Sequence, residues 1–299
     1  MKTKILKLSL LTSILGIALW SCKKELNESN NPSQTKDFAL QYNQNINPLE
    51  YVGVAHNIYM TKFTNAYNLS KQNGEWNNIE FLSNSYKTKF SEISNDAFRE
   101  IYPESNSTTA KQEIIYNELN LNEWFDGDEV TPITVAEATL NNNNASQKDI
   151  EYTMNLLNDV FSSIKSATDD EAAYIALANT IQQHENLILS QEWEPSEEYA
   201  LGALAVAKHS MNFWKNYDFS DYVIGANPRS SVIVGADVAG YVVGGVVGGT
   251  VGLSVGPITL GAGTVAGVLG GKAVGSWAAS SAAMVAFGIY DAWVDFFWG

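Results

Sequence analysis

Glycine placement constrains this chain more than any other feature. Seventeen of its 22 glycines lie in residues 225–299. Gly240, Gly244, Gly248, Gly252 and Gly256 recur every four residues, and Pro257 then interrupts the run. After Ile258 to Ala262 the spacing resumes with Gly263, Gly267, Gly271 and Gly275. An i+4 row stays on one face of a helix, so each ladder is a groove that a second helix backbone can approach closely. The pattern predicts a helical hairpin over 230–292. Tyr241-Val242-Val243 and Val246-Val247 carry a competing strand propensity. Nine ladder glycines also cost about 9 kcal/mol of helix propensity relative to alanine. The ladders therefore stay helical only in apolar surroundings: a bilayer, another subunit, or the rest of this protein.

Charge is equally uneven. Residues 225–299 carry only Arg229, Asp237, Lys272, Asp291 and Asp295, and 34 uncharged residues separate Asp237 from Lys272. Val238–Gly256 and Ala273–Tyr290 each approach the length of a membrane span, although Lys272 falls inside the second ladder. The closing 293–299 stretch places Trp293, Phe296, Phe297 and Trp298 beside acids. That suits a membrane interface or a core plug.

The rest of the chain reads as an all-α bundle over 47–220. Asn47-Pro48-Leu49-Glu50 opens a helix whose stripe is Tyr51, Ala55, Tyr59, Phe63 and Tyr67, widened by Val52 and Ile58. Further helices are expected over 78–94 and 108–121. Ser146/Asp149, Thr168/Glu171 and Pro195 each start another. Asp126–Pro132 and Asn141–Asn144 read as loops. Residues 22–46, rich in Asn, Ser, Gln and Lys, read as a flexible tether.

Residues 1–21 form an export signal: Lys2, Lys4 and Lys7 precede an apolar stretch ending Leu19-Trp20-Ser21-Cys22. This ending resembles bacterial lipoproteins, in which Leu at −3 and a small residue at −1 precede a lipidated cysteine. The resemblance implies a diacylglycerol thioether and an acylated amine on Cys22. Lys23 after the cysteine favours the outer membrane, and Ser21-Cys22-Lys23-Lys24-Glu25 is similar to Bacteroidota lipoprotein starts that direct surface export. The ladders resemble glycine-zipper segments of envelope lipoproteins and of membrane-active bacteriocins. Asn47-Pro48 leading into Tyr51-Val52-Gly53 and His56-Asn57 looks like uncharacterised lipoproteins of the same group, a likeness that implies no chemistry.

Removing the signal takes the net charge from −15 to −18, since three lysines and no acids leave. Such acidity argues against nucleic acid as a partner. A single cysteine excludes an internal disulfide framework and a cysteine-rich metal site. His56, His184, His209 and Glu185 have the ligand types of a zinc set, but no pair has i+4 spacing. Asp126-Gly127-Asp128-Glu129 lacks the EF-hand spacing. Glu192, Glu194, Glu197 and Glu198 flank Trp193 at a helix start, where acids answer the macrodipole. No cofactor or metal is expected. The reading is a non-enzymatic envelope lipoprotein whose partners are membrane lipid, through Cys22 and residues 238–290, and a second copy of itself through the ladder. The alternative is a bacteriocin-like, pore-forming toxin displayed or secreted as a lipoprotein.

Overall fold

A computed structural model describes residues 46–80, 83–103, 105–118, 132–194, 196–218, 230–250, 258–260 and 263–265, together with 277 and 281. The signal, Cys22 and the tether up to residue 45 lie outside the described residues. So do Asp126-Gly127-Asp128-Glu129, Lys272 and the aromatic tail. The fold is an all-α bundle. Among the described residues there are eight helices: α1 Glu50–Gln72, α2 Asn84–Ile101, α3 Thr109–Glu118, α4 Pro132–Asn142, α5 Gln147–Lys165, α6 Asp170–Leu189, α7 Tyr199–Asn216 and α8 Ser231–Thr250.

The helix starts follow capping chemistry. Ser83, Ser146 and Asp169 each accept a hydrogen bond from the backbone N–H three residues on, satisfying one of the orphan donors of a first turn. On α6 the cap is Asp169, one residue beyond the expected Thr168. The second helix starts at Asn84 rather than 78: Ser83 supplies its cap, and Asn78 is left-handed at a φ of 64°. Asn47 turns the chain into α1 by accepting from the Leu49 N–H at 2.9 Å, and its amide donates to the Leu201 carbonyl at 2.8 Å. One side chain thus starts α1 and ties it to α7.

The α1 stripe of Ala55, Tyr59, Phe63 and Tyr67 is buried as its period requires. On α6 the apolar face lies elsewhere than the sequence pattern implied. Ala173, Tyr174, Leu177, Ile181 and Ile188 are buried, while Ile175 is 44% exposed. The apolar series Ala172, Ile175, Ala178, Ile181 and Ile188, whose spacing suggests one face, shares only Ile181 and Ile188 with the residues that α6 buries. Helix α4 was not anticipated. It is a short helix that buries Pro132, Ala136 and Leu140.

The core does not stop at residue 220. Helix α8 packs on α7 and α4, and then on α5, α3 and α6. Residues 231–245 of α8 are buried without a break. Val232, Ile233, Val234, Val238, Ala239, Tyr241 and Val242 belong to the same apolar cluster as Tyr59, Phe63 and Trp214. The first ladder was expected to begin a membrane span at Val238. Instead the helix starts seven residues earlier and carries Asp237 inside the bundle. Among the described residues no helix is long and apolar enough to cross a membrane.

The start of the second ladder also departs from expectation. Ile258–Leu260 pairs antiparallel with Gly263–Val265, with Leu260 opposite Gly263. Gly263 is therefore a strand residue, not the first rung of a helix. Ile258, Thr259, Thr264 and Val265 are β-branched, which favours the extended backbone.

Further along, Trp277 and Ser281 are helical and fully buried. Trp277 stacks on Tyr59 (ring centroids 5.3 Å apart) and on Tyr102 (5.8 Å), and meets Phe98 at 5.6 Å. Ser281 donates to the Trp277 carbonyl at 2.6 Å and lies 3.3 Å from the Tyr59 hydroxyl. These two residues insert between α1 and α2.

Candidate functional site

The close approach of α1, α7 and α8 creates the most unusual chemistry in the described structure. On α1, Gly53 leaves room where a Cβ would fall 2.4 Å from the Ala205 carbonyl of α7. On α7, Gly202 leaves room for the Tyr241 ring of α8, whose hydroxyl would lie 1.9 Å from a Cβ. Two glycines outside the ladders thus let three helix backbones come together, and polar side chains become trapped in the seam.

Asp237 sits at its centre, fully buried on an otherwise uncharged helix. Burying a carboxyl is expensive unless it is hydrogen-bonded. Ser210 and Trp214, four residues apart and so on one face of α7, both donate to Asp237 Oδ2. The Trp214 Nε1 donates at 2.7 Å, and the Ser210 hydroxyl makes a short hydrogen bond. His56 on α1 places Nε2 3.4 Å from the same oxygen.

The protonation of this pair follows from Asn57. Its amide nitrogen donates to the His209 carbonyl at 2.9 Å, so its oxygen is the atom 3.1 Å from His56 Nδ1. That oxygen can only accept, so His56 Nδ1 carries hydrogen. Its Nε2 then faces Asp237. Burial pushes the His56 pKa below its ordinary 6.5, outweighing the opposing pull of Asp237 and Asn57.

Two residues before Ser210 on α7, Lys208 is buried between two carboxylates: 2.7 Å from Glu185 on α6 and 3.0 Å from Glu50 on α1. His209 Nε2 lies 2.9 Å from the same Glu50 oxygen. Burial raises the Glu50 carboxyl, but the His209 hydrogen bond and the Lys208 charge outweigh it and hold Glu50 below its usual range. Lys208 is held above its ordinary value in turn, since Glu185 and Glu50 overcome desolvation.

Two further carboxylates act as caps on other helices. Asp149 of α5 accepts from the Tyr199 and Ala200 N–H groups that start α7, at 3.0 and 2.7 Å. Asp170 of α6 accepts from the Ser231 N–H that starts α8 at 3.0 Å, and from the Ser230 hydroxyl at 2.9 Å. Each central helix is thus capped by an aspartate in the first turn of a peripheral one.

Ser210, His56 and Asp237 have the composition of a hydrolase triad but a different wiring. A nucleophile relay needs the base to take the serine proton. Here the serine donates to the aspartate, and all three groups are sealed from solvent. The arrangement is a carboxylate hub that joins three helices.

The three histidines do not converge. His56 faces Asp237, His209 faces Glu50, and His184 lies 2.8 Å from Asp159. Among the described residues no group of three or more His, Cys, Asp or Glu side chains is placed to hold a metal ion. Beside Trp193, Glu197 accepts from the Ser146 hydroxyl at 2.7 Å and the Glu194 N–H at 3.0 Å, and pairs with Lys148 at 2.6 Å. The Lys148 ammonium also sits 4.7 Å above the Trp193 ring. These acids brace the turn between α6 and α7.

Of the sequence-derived positions, Gly240 and Gly244 lie buried on α8, Gly248 continues its backbone, and Gly263 is in the short hairpin. Cys22, Gly252, Gly256, Gly267, Gly271 and Gly275 lie outside the described residues. Sequence reasoning missed the Asp237 hub and the Lys208 ion cluster. The available signal was one acid inside an apolar helix, which must find partners wherever the helix is buried. Comparison with protein families, curated proteins and solved structures finds no match.

Proposed function

We propose that this is a non-enzymatic lipoprotein of the bacterial outer membrane, anchored through Cys22, whose acidic bundle shelters the head of a glycine-rich apolar segment. The ladder beyond the buried Gly240 and Gly244 is a surface for membrane lipid or for a second copy of the chain. The carrying observation is the uninterrupted burial of residues 231–245 at the centre of a bundle of more polar helices. A chain that must stay soluble while holding such a segment benefits from an acidic exterior and an intramolecular sheath. The same observation favours a second reading, a bacteriocin-like membrane-active protein, because sheltering keeps a membrane-seeking helix out of water until it meets its target.

The test begins with palmitate labelling in cells, which should be lost in Cys22→Ser. The purified full-length Cys22→Ser chain is then mixed with vesicles of phosphatidylethanolamine and phosphatidylglycerol containing a trapped dye. Vesicle binding or concentration-dependent self-association without dye release is the expected result. Rapid dye release favours the toxin reading. Absence of labelling, or a chain that neither binds vesicles nor self-associates, overturns the proposal.

A further inference from the structure

Trp277 is seated unlike the other tryptophans that the structure describes. Trp76 donates its indole N–H to the Ser70 hydroxyl at 2.6 Å, Trp193 to the Ile188 carbonyl at 2.8 Å, and Trp214 to Asp237 at 2.7 Å. Trp277 is fully buried, and among the described residues its Nε1 has no acceptor. A buried donor left unpaired keeps its desolvation cost. Aromatic packing holds the ring instead: it lies nearly parallel to Tyr59 (19°) and Tyr102 (9°) and tilted against Phe98 (46°). We propose that Trp277 is a releasable clasp: its seat on Tyr59, Phe98 and Tyr102 withholds the C-terminal part of the glycine-rich segment from lipid, and a bilayer draws it out while the bundle stays folded.

One stretch of chain cannot occupy both places. Ala273–Tyr290 is 18 residues without a charge, close to the length of a span. Trp277 and Ser281 lie within it, one helical turn apart, and both are buried in the bundle. While they are seated there, the stretch is kept out of hydrocarbon. The bilayer interface offers an indole what the seat does not: an apolar bed for the ring together with acceptors for its N–H. The unpaired N–H therefore favours the exchange.

The seat is braced independently of its occupant. Gln112 Nε2 donates to the Ser107 hydroxyl at 3.0 Å, so Gln112 Oε1 accepts from Ser94 at 3.1 Å. That commits the Ser94 hydrogen, so Tyr59 is the donor in its 2.7 Å bond to Ser94. Ser281 gives its own hydrogen to the Trp277 carbonyl. Tyr59 thus keeps the bond it donates when Ser281 withdraws. Ser107 completes the chain by donating to Asn95 at 2.8 Å. These bonds join α1, α2 and α3 without Trp277. Helix α8 is held separately, by the Asp170 cap at its start and by its buried residues.

This inference rests on the membrane-association reading above, and the experiment separates the two. The full-length Cys22→Ser chain has no thiol, so Ser94→Cys beside the seat supplies one buried reporter. Thr153→Cys, buried on α5, supplies a reference in a second chain. Labelling by a water-soluble maleimide is timed with and without vesicles of phosphatidylethanolamine and phosphatidylglycerol. Vesicles should speed labelling at 94 and leave 153 slow. Tyr102→Ala keeps Trp277 but removes one ring that it stacks on, so this variant should bind vesicles about tenfold more tightly. A vesicle-bound chain in which 94 labels no faster overturns the clasp and leaves the membrane reading standing. So does acceleration at 94 and 153 alike, or Tyr102→Ala with unchanged or weaker binding. If neither the Cys22→Ser chain nor Tyr102→Ala binds vesicles, the membrane reading falls and the clasp falls with it. Vesicle binding of Tyr102→Ala decides the matter if Ser94→Cys does not fold, and labelling at 94 decides it if Tyr102→Ala does not.

Discussion

Replacing Gly202 with alanine sets two effects of opposite sign against each other. In a helix interior the change should stabilise by about 1 kcal/mol, because glycine is the poorer helix former. At this position the new Cβ would lie 1.9 Å from the Tyr241 hydroxyl oxygen and 2.1 Å from the ring carbon that bears it. Ordinary contact is about 3.4 Å or more, so the ring would have to move by more than an ångström. Tyr241 is fully buried, and its hydroxyl is near the Glu198 carbonyl at 3.5 Å, so the ring has no solvent to swing into. Overpacking of this kind costs about 3 kcal/mol, which outweighs the propensity gain and leaves a net loss of about 2 kcal/mol. For a domain of this size that is a fall in Tm of about 4–8 °C. Thermal and urea unfolding followed by circular dichroism would read it. Tyr241→Leu alone should destabilise by about 2–4 kcal/mol through lost packing. Combined with Gly202→Ala it should recover at least about 1 kcal/mol relative to the sum, since the clashing ring is gone. If Gly202→Ala raises stability, or the two changes simply add, then α7 and α8 do not meet as described and the intramolecular sheath is wrong.

Trp277→Ala removes a side chain packed among Tyr59, Phe98 and Tyr102. It should destabilise the bundle by about 3–5 kcal/mol, read by urea unfolding with near-UV dichroism; an unchanged midpoint would detach residue 277 from the core. Asp149→Ala strips two N–H groups at the start of α7 of their acceptor and should lower stability by about 1–3 kcal/mol, visible as a lower melting temperature. Lys208→Met leaves the buried Glu185 without its cation and Glu50 with His209 alone, and should cost about 3–5 kcal/mol; Lys208→Met with Glu185→Leu should recover part of that. The Glu197 carboxyl is pulled down to about 2 by the Glu194 N–H, then Lys148 and Ser146. Its contribution is intact above its ordinary 4.5 and is lost as pH falls toward 2. Glu197→Gln should flatten the stability curve in that window, as measured by acid titration of the helical signal.

The sequence alone decided what periodicity and capping can decide. A 3.6-residue stripe such as Ala55, Tyr59, Phe63 and Tyr67 must be buried whatever covers it, and Ser146 starts a helix by local chemistry that needs no tertiary partner. Segregation of charge into the first 220 residues likewise marked one apolar, glycine-rich tail. Only the tertiary structure decided what surrounds the head of that tail. The ladder required apolar surroundings, and bilayer, partner or own bundle satisfy that requirement equally in one dimension. The contacts of Gly202 with Tyr241 and of Gly235 with Phe161 settle it for residues 231–245, because each joins this segment to a residue far away in sequence. The Asp237 hub was illegible for the same reason. Its partners are His56, Ser210 and Trp214, and their chemistry appears only once three helices close on one carboxyl.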